Sequence, residues 1–308
     1  MNEKYSKKDF EKILEKYSIG KLLSYKKLPK ALENTVYYFK TSKGEFVLKL
    51  FERSTKTVEN QTMVQEHLQK NNPIPKIIRT KNNKSISFYE KKPVQIQEFA
   101  KGKRVRLNNK LIKDYGKIIG QIDLDLKKLE IRNFFPWGKE FEFKKTKLCS
   151  NKKIDLEKEQ EKILKELKKI NKKKITRTIV HGDLNLDNSL IHKNKINAII
   201  DFGDSHTGFL ITDPMIFICD EIITSKMNYK KIKLFLKEFE KKIKLSKEEK
   251  KALYYFTLNR CLYSMDWCNR MQQKHENKKR PSKMFEEYLV KYKLLKQEGL
   301  ERFLEEIQ

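Results

Sequence analysis

Cysteine is scarce in this sequence: 308 residues carry only Cys149, Cys219, Cys261 and Cys268. Their spacing is irregular, no two make a CxxC pair and no histidine stands beside them at ligand spacing. Neither a structural zinc site nor a disulfide framework is indicated, and a reducing compartment is expected. Long apolar runs are missing too, since nothing approaches the roughly 20 residues that span a bilayer. The opening stretch MNEKYSKKDFEKILEKY reads as a charged helix rather than a secretion signal. A cytoplasmic location without a membrane partner is expected. No unit repeats at a period of roughly 20 to 50 residues, which excludes a solenoid.

Negative charge is in short supply, with Lys+Arg 70 against Asp+Glu 41 and a formal net charge of +29. Such a balance would suit a polyanion, and it raises one rival reading, a catalytically inactive nucleic-acid-binding protein. The lysines, however, are scattered over every segment (Lys7-Lys8, Lys91-Lys92, Lys172-Lys173-Lys174, Lys241-Lys242), mostly where solvated helix faces or turns are expected. This dispersal argues for a lysine-rich surface and against nucleic acid as the partner. One segment breaks the pattern. From His181 to Glu221 the chain carries Asp183, Asp187, Asp201, Asp204, Asp213, Asp220 and Glu221 against only Lys193 and Lys195. An acidic island in a basic chain marks a site.

Hydropathy periodicity divides the chain into a smaller β-rich part and a larger helical part. A short amphipathic helix over Asp9 to Tyr17 precedes β-like runs at Thr35 to Thr41, Glu45 to Phe51, Ser85 to Tyr89 and Pro93 to Phe99. Ser42-Lys43-Gly44 reads as a hairpin turn, and Thr55 to Lys70 as one helix inserted in the sheet. From about Lys110 helical patterns take over, at Leu111 to Leu129, Leu156 to Ile170, Pro214 to Ile223, Tyr229 to Ile243, Lys247 to Met271 and Ser282 to Ile307, interrupted by a β-hairpin region at Ile179 to Phe202. The expected domains are therefore 1–99 and 100–308, with Glu98 to Gly102 as a candidate linker.

The chemistry concentrates in His181-Gly182-Asp183-Leu184-Asn185-Leu186-Asp187-Asn188 and in Ile200-Asp201-Phe202-Gly203-Asp204. Two apolar runs flank Lys193-Asn194-Lys195, a hairpin signature. If the turn centres on Asn194, Asn188 and Asp201 meet at the open end of the hairpin. A side-chain carbonyl and a carboxylate there suit a hard cation such as Mg²⁺. Asp183, in a glycine-containing turn after Ile179-Val180, is the candidate to orient an attacking hydroxyl, as phosphoryl transfer requires. In the β-rich part, Phe46-Val47-Leu48-Lys49-Leu50-Phe51 puts a lone ammonium inside an apolar strand. It needs an anion, a nucleotide phosphate or a carboxylate, and Glu59 and Glu66, seven apart on one helical face, are the carboxylate candidates.

These residues resemble the aminoglycoside phosphotransferase superfamily, which includes choline and homoserine kinases and has a two-lobed, protein-kinase-like α+β fold. HGDLNLDN is similar to the catalytic loop of that family, which implies Asp183 as catalytic base and Asn188 as magnesium ligand. IDFGD is similar to its metal segment, with Asp201 as second ligand. The resemblance implies ATP and Mg²⁺ as cofactors, Lys49 on the phosphates with Glu59, or after it Glu66, as its helix partner, and Gln97-Glu98-Phe99 offering backbone groups to adenine. The phosphate-covering turn is expected around Leu32-Glu33-Asn34-Thr35, without a GxGxxG motif. Asp213 resembles the residue that buttresses the catalytic loop. The N-terminal half most resembles type II homoserine kinases, so the implied partner is a small hydroxyl acceptor, homoserine first, with choline, ethanolamine, hydroxylysine or an aminoglycoside as alternatives. Homoserine's carboxylate is expected to meet Arg260, Arg270 or a lysine. Tyr255, Tyr263, Asp266 and Trp267 stand beside these as pocket candidates, although such an aromatic stretch is more often core.

Overall fold

A computed structural model describes residues 5–28, 34–130, 147–274 and 279–308. The expected phosphate-covering turn therefore lies partly outside the described residues, with Leu32 and Glu33 beyond them and Asn34 and Thr35 opening a strand. The fold is α+β, an antiparallel sheet followed by a helical region.

The first helix, α1 (Lys7–Leu14), is started by a capping box in which the Ser6 side chain and Asp9 satisfy each other's backbone N–H groups. Its spacing turns Phe10, Ile13 and Leu14 inward. Phe10 packs its ring 4.6 Å from Tyr37 and 4.9 Å from Phe39. Both partners lie on β2 (Asn34–Thr41), which alternates burial as a half-covered strand must. The sheet adds β1 (Leu22–Lys27), β3 (Gly44–Phe51), β4 (Ile77–Ile78), β5 (Ser87–Tyr89) and β6 (Lys92–Glu98), in the order β1-β2-β3-β6-β4 with β5 on β6. Truncating Phe10 to alanine would cost about 3–5 kcal/mol, because every neighbour of that ring is already packed.

Helix α2 (Thr55–Leu68) follows β3, capped by Ser54. Its buried face is unusually polar: Asn60, Gln61, Thr62 and Gln65 accompany Val58, Val64 and Leu68. Gln65 donates to Gln97 at 2.9 Å, and Gln95 donates to Thr62 at 3.0 Å, so buried polar groups join the apolar side chains in fixing this helix on β6.

Past β6, Gly102 (φ +156°) presses against the backbone of Leu190 and Ile191, where any side chain would collide. Lys103 exchanges backbone bonds with Ile191. The segment expected as a linker is thus tied to a strand. The helical elements are α3 (Asn109–Leu126), α4 (Leu156–Leu167), α5 (Thr212–Phe217), α6 (Tyr229–Phe239), α7 (Lys247–Lys274) and α8 (Lys279–Ile307), the last kinked at Gly299. Between them lie β7 (Arg177–Val180), hairpin strands β8 (Ser189–His192) and β9 (Lys195–Ile199), and β10 (His206–Phe209), which pairs with β7. Lys193 and Asn194 both take positive φ, the requirement of a tight two-residue turn.

Contacts group the chain into two compact units. One is Met1–Lys103 with Ser189–Lys193 and Asn197–Gly203; the other is Arg104–Asn188 with Asn194–Ile196 and Asp204–Gln308. In the second, Tyr115, Phe217, Phe235 and Phe239 form a run of neighbouring rings at its core.

Candidate active site

Strand β7 ends at Val180, and the next two N–H groups leave the sheet for a side chain. His181 N–H donates to Asp213 at 2.8 Å and Gly182 N–H donates to the same carboxylate at 2.9 Å. Gly182 sits at φ +84°, with the Asp204 carbonyl and the His206 ring where a Cβ would stand, so only glycine fits. The turn delivers Asp183. Its Oδ1 accepts from Asn185 Nδ2 at 2.9 Å and its Oδ2 from Asn188 Nδ2 at 2.7 Å. Asn188 Nδ2 also donates to the Asp183 carbonyl at 2.9 Å. Both of these partners are acceptors, so the amide must point its NH₂ at Asp183 and present its oxygen elsewhere. An amide oxygen freed in this way is what a hard cation needs.

Beside Asp183, at 3.6 Å, lies the Arg260 guanidinium from α7. Arg260 also grips Asp220 at 2.8 Å, and Tyr288 donates to Asp220 at 2.9 Å. Burial alone would raise the Asp220 carboxyl, but Arg260, Lys291 and Tyr288 outweigh it and hold the group below the usual carboxylate range. For Asp183 the balance goes the other way: burial pushes it up, with Asp220 and Asp204 adding to the push and Arg260 opposing. Asp220 and the next residue, Glu221, belong to a π-helical turn, Ile218–Ile222, that continues α5. Its widened geometry sends Asp220 to Arg260 while Glu221 accepts from Leu186 N–H at 3.0 Å, so one turn braces the loop at two points.

Arg260 is therefore occupied by carboxylates, and the expectation that it meets an acceptor's carboxylate needs correction. Arg270 is likewise bound to Asp266, at 2.9 Å. Tyr263 is core, accepting from Gln160, and Trp267 is exposed. Asn185, Tyr288 and Lys291 belong to the assembly around Asp183 without having stood out in the sequence; only the clustering of Asp220 with Asp183 in an acidic island hinted at a buried cation.

In the other unit, Lys49 lies on β3 opposite Val36 and Gln95. Burial holds its ammonium below the usual lysine range, and the opposing influence is Asp201. Asp201 is exposed, at φ +67°, and accepts weakly from Gly203 N–H. The structure does not bring Glu59 to Lys49. Glu59 is exposed, because α2 turns Val58, Gln61, Thr62 and Gln65 inward and so rotates Glu59 and Glu66 off the sheet. Glu66 pairs with Arg79 at 2.5 Å. Gln97 spends its side chain on Gln65, while the N–H groups of Glu98 and Phe99 go to the Lys76 and Glu45 carbonyls. Those two N–H groups are not free for a base. Asn34 keeps a buried side-chain oxygen without a donor among the described residues. No three His, Cys, Asp or Glu side chains gather as a cage among the described residues, so a cation here would complete its shell with phosphate oxygens and water.

A cavity of about 590 Å³ opens beside the π-turn, lined by Leu186, Glu221, Arg104, Arg106, Lys226 and Lys231 among others. Arg104 is taken by Asp187 at 2.8 Å. Arg106, Lys226 and Lys231 form no ion pair among the described residues, so the cavity is cationic.

With this geometry in place, the chain can be set beside known proteins. The sequence model of a family described as "Phosphotransferase enzyme family" matches residues 24–225, more than half of the chain. A homoserine kinase of Bartonella henselae is 27% identical over 208 residues, covering 63% of this chain and 63% of that protein. An amicoumacin kinase solved with AMP-PNP and Ca²⁺ superposes with a TM-score of 0.74 at 15% identity, covering 96% of this chain and 95% of the other. A microcompartment-associated aminopropanol kinase gives 0.73 at 13% identity, with 95% and 97% covered. No described helix is long and apolar enough to cross a membrane.

Proposed function

The chain belongs to the phosphotransferase enzyme family, and from that premise we propose that it transfers the γ-phosphoryl group of ATP to the hydroxyl of a small acceptor. The observation that carries this reading is Asp183, a carboxylate oriented by two asparagine amides and neighboured by a guanidinium. Asp183 holds the acceptor hydroxyl in line and takes its proton as the oxygen–phosphorus bond forms and the bond to the leaving ADP oxygen breaks. Arg260 keeps a counter-charge beside that carboxylate. Lys49 meets the nucleotide phosphates, whose charge relieves its buried ammonium. Asn188 and Asp201 are the residues that would hold Mg²⁺, which supplies charge neutralisation on the phosphates when bound.

Homoserine remains the leading acceptor. Its carboxylate matches the cationic cavity at Arg106, Lys226 and Lys231, whereas choline or an aminopropanol carries no anion to place there. The likeness to a homoserine kinase, over less than two thirds of that protein's length, points the same way. The test is nucleotide consumption with Mg²⁺ across homoserine, 1-amino-2-propanol, choline, ethanolamine, hydroxylysine and kanamycin. Turnover of homoserine, reduced in Arg106→Ala with Lys226→Ala, is the expected result. Turnover of choline or kanamycin alone would overturn the acceptor and leave the phosphotransferase standing, and no turnover on any hydroxyl compound would remove both.

A further inference from the structure

Asp123 is the side chain this site leaves unexplained. It lies on α3, has no exposed surface, and neither of its oxygens meets an N–H or O–H donor among the described residues. What it does meet is the Asp213 carboxylate, within hydrogen-bond reach. Asp213 is the group whose two oxygens accept the His181 and Gly182 N–H bonds and so hold the turn that carries Asp183.

Two ionised carboxylates cannot share a dry interior without a cation, and no cation is among the described groups that act on Asp123. Glu238, on the packed helix α6, is taken by Lys117 and Lys241. Arg177, at the far end of β7, sits over the Phe209 ring, and His181 turns its Nδ1 to the Asp183 N–H. Of these charged groups only Asp213 acts on Asp123. A single proton resolves the conflict by turning repulsion into a short O–H···O⁻ bond. Its place follows from the donors: both Asp213 oxygens already accept N–H bonds, so the proton sits on Asp123, whose oxygens accept nothing. Burial first, and Asp213 second, push the Asp123 carboxyl well above the usual range.

We propose that Asp123 is a neutral, proton-donating carboxylic acid that clamps Asp213 and thereby positions the turn bearing Asp183. The kinetic part of this proposal rests on the role given to Asp183; the protonation itself does not. An asparagine at 123 would keep the shape and donate an NH₂ to Asp213 without titrating, whereas leucine would keep the volume and donate nothing.

Infrared difference spectra of the unliganded chain at neutral pH, wild type against Asp123→Asn, read the proton directly. The expected result is the carbonyl stretch of a buried, protonated carboxylic acid in the wild type, downshifted in D₂O and gone in the variant. Steady-state kinetics then separate positioning from folding. Asp123→Asn should stay within about threefold of wild type in kcat, and Asp123→Leu should lose on the order of tenfold or more in kcat with little change in the KM for ATP. Absence of the infrared band, or its persistence in Asp123→Asn, overturns the proposal even if Asp123→Leu fails to fold. So does an asparagine variant as impaired as leucine. A wild type that turns over no acceptor but shows the band would sink the kinase reading and leave the shared proton intact.

Discussion

The turn around Asp183 and the strand around Lys49 handle their polar groups in opposite ways. In the first, every oxygen of Asp183 and Asp213 has a protein donor, and the charge of Asp220 is met by Arg260 and Lys291. Around Lys49 the ammonium is held below its usual range, Asn34 keeps an orphan oxygen and Glu59 points to solvent. On the proposed function, the difference follows from what each region awaits. A proton acceptor must already be in position when a neutral hydroxyl arrives, so its surroundings are complete beforehand. Groups that receive a polyphosphate can stay unsatisfied, because the ligand brings the missing charge.

If this contrast is right, the largest loss belongs to the finished region. Asp183→Asn should cut kcat by a factor on the order of 10² or more while nucleotide affinity, read by calorimetry, hardly moves. Full activity in that variant would break the comparison at its centre.

Next comes Arg260→Ala, which strips the cation from the largely buried Asp220 and from the partly exposed Asp183 and should cost about 3 kcal/mol in denaturant unfolding. The acid limb sharpens this. Because Asp220 is held below its ordinary range in the folded chain, its contribution to stability is present above the ordinary carboxylate range and drains away as pH falls through the lowered value. Asp220→Asn should therefore unfold with a flatter acid limb than wild type; an unchanged limb would mean that Arg260 does not hold that charge.

Lys49→Ala should act more narrowly, raising the KM for ATP by about tenfold while the apo chain unfolds no more readily than wild type. A stability loss in its place would mark Lys49 as a structural ion pair. The smallest effect is expected from Glu59→Gln, within about twofold of wild type in every kinetic constant, since an exposed carboxylate without a partner contributes little. A strong defect there would show that α2 turns on binding nucleotide.

The hairpin after Asn188 was legible in the sequence because it is local: two apolar runs and a Lys-Asn turn suffice, and the chain places positive φ at Lys193 and Asn194. The turn bearing Asp183 was legible for the same reason, as glycine and the acidic residues sit side by side. The rotation of α2 was not, because Thr62 and Gln65, which periodicity counts as polar and assigns to solvent, bond to Gln95 and Gln97 of the sheet. Strand β10 escaped notice because His206–Phe209 is short, polar and paired far along the chain to β7. Asp123 was hidden most thoroughly. An aspartate in Ile122-Asp123-Leu124 reads as surface, and only the approach of Asp213 from another helix shows otherwise.

The π-turn at Ile218–Ile222 sets how the chain tolerates insertion and deletion. Dropping one residue from the wide turn would leave an ordinary α-helix, and everything upstream would rotate by about 100° relative to everything downstream. Asp220 and Glu221 could then no longer serve their separate partners, one at Arg260 and the other at Leu186. Substitutions can be absorbed in this stretch one side chain at a time, but its length cannot drift. Among relatives that keep both contacts, the count of residues between Asp213 and Glu221 should be a fixed spacing, whatever the residues in between become.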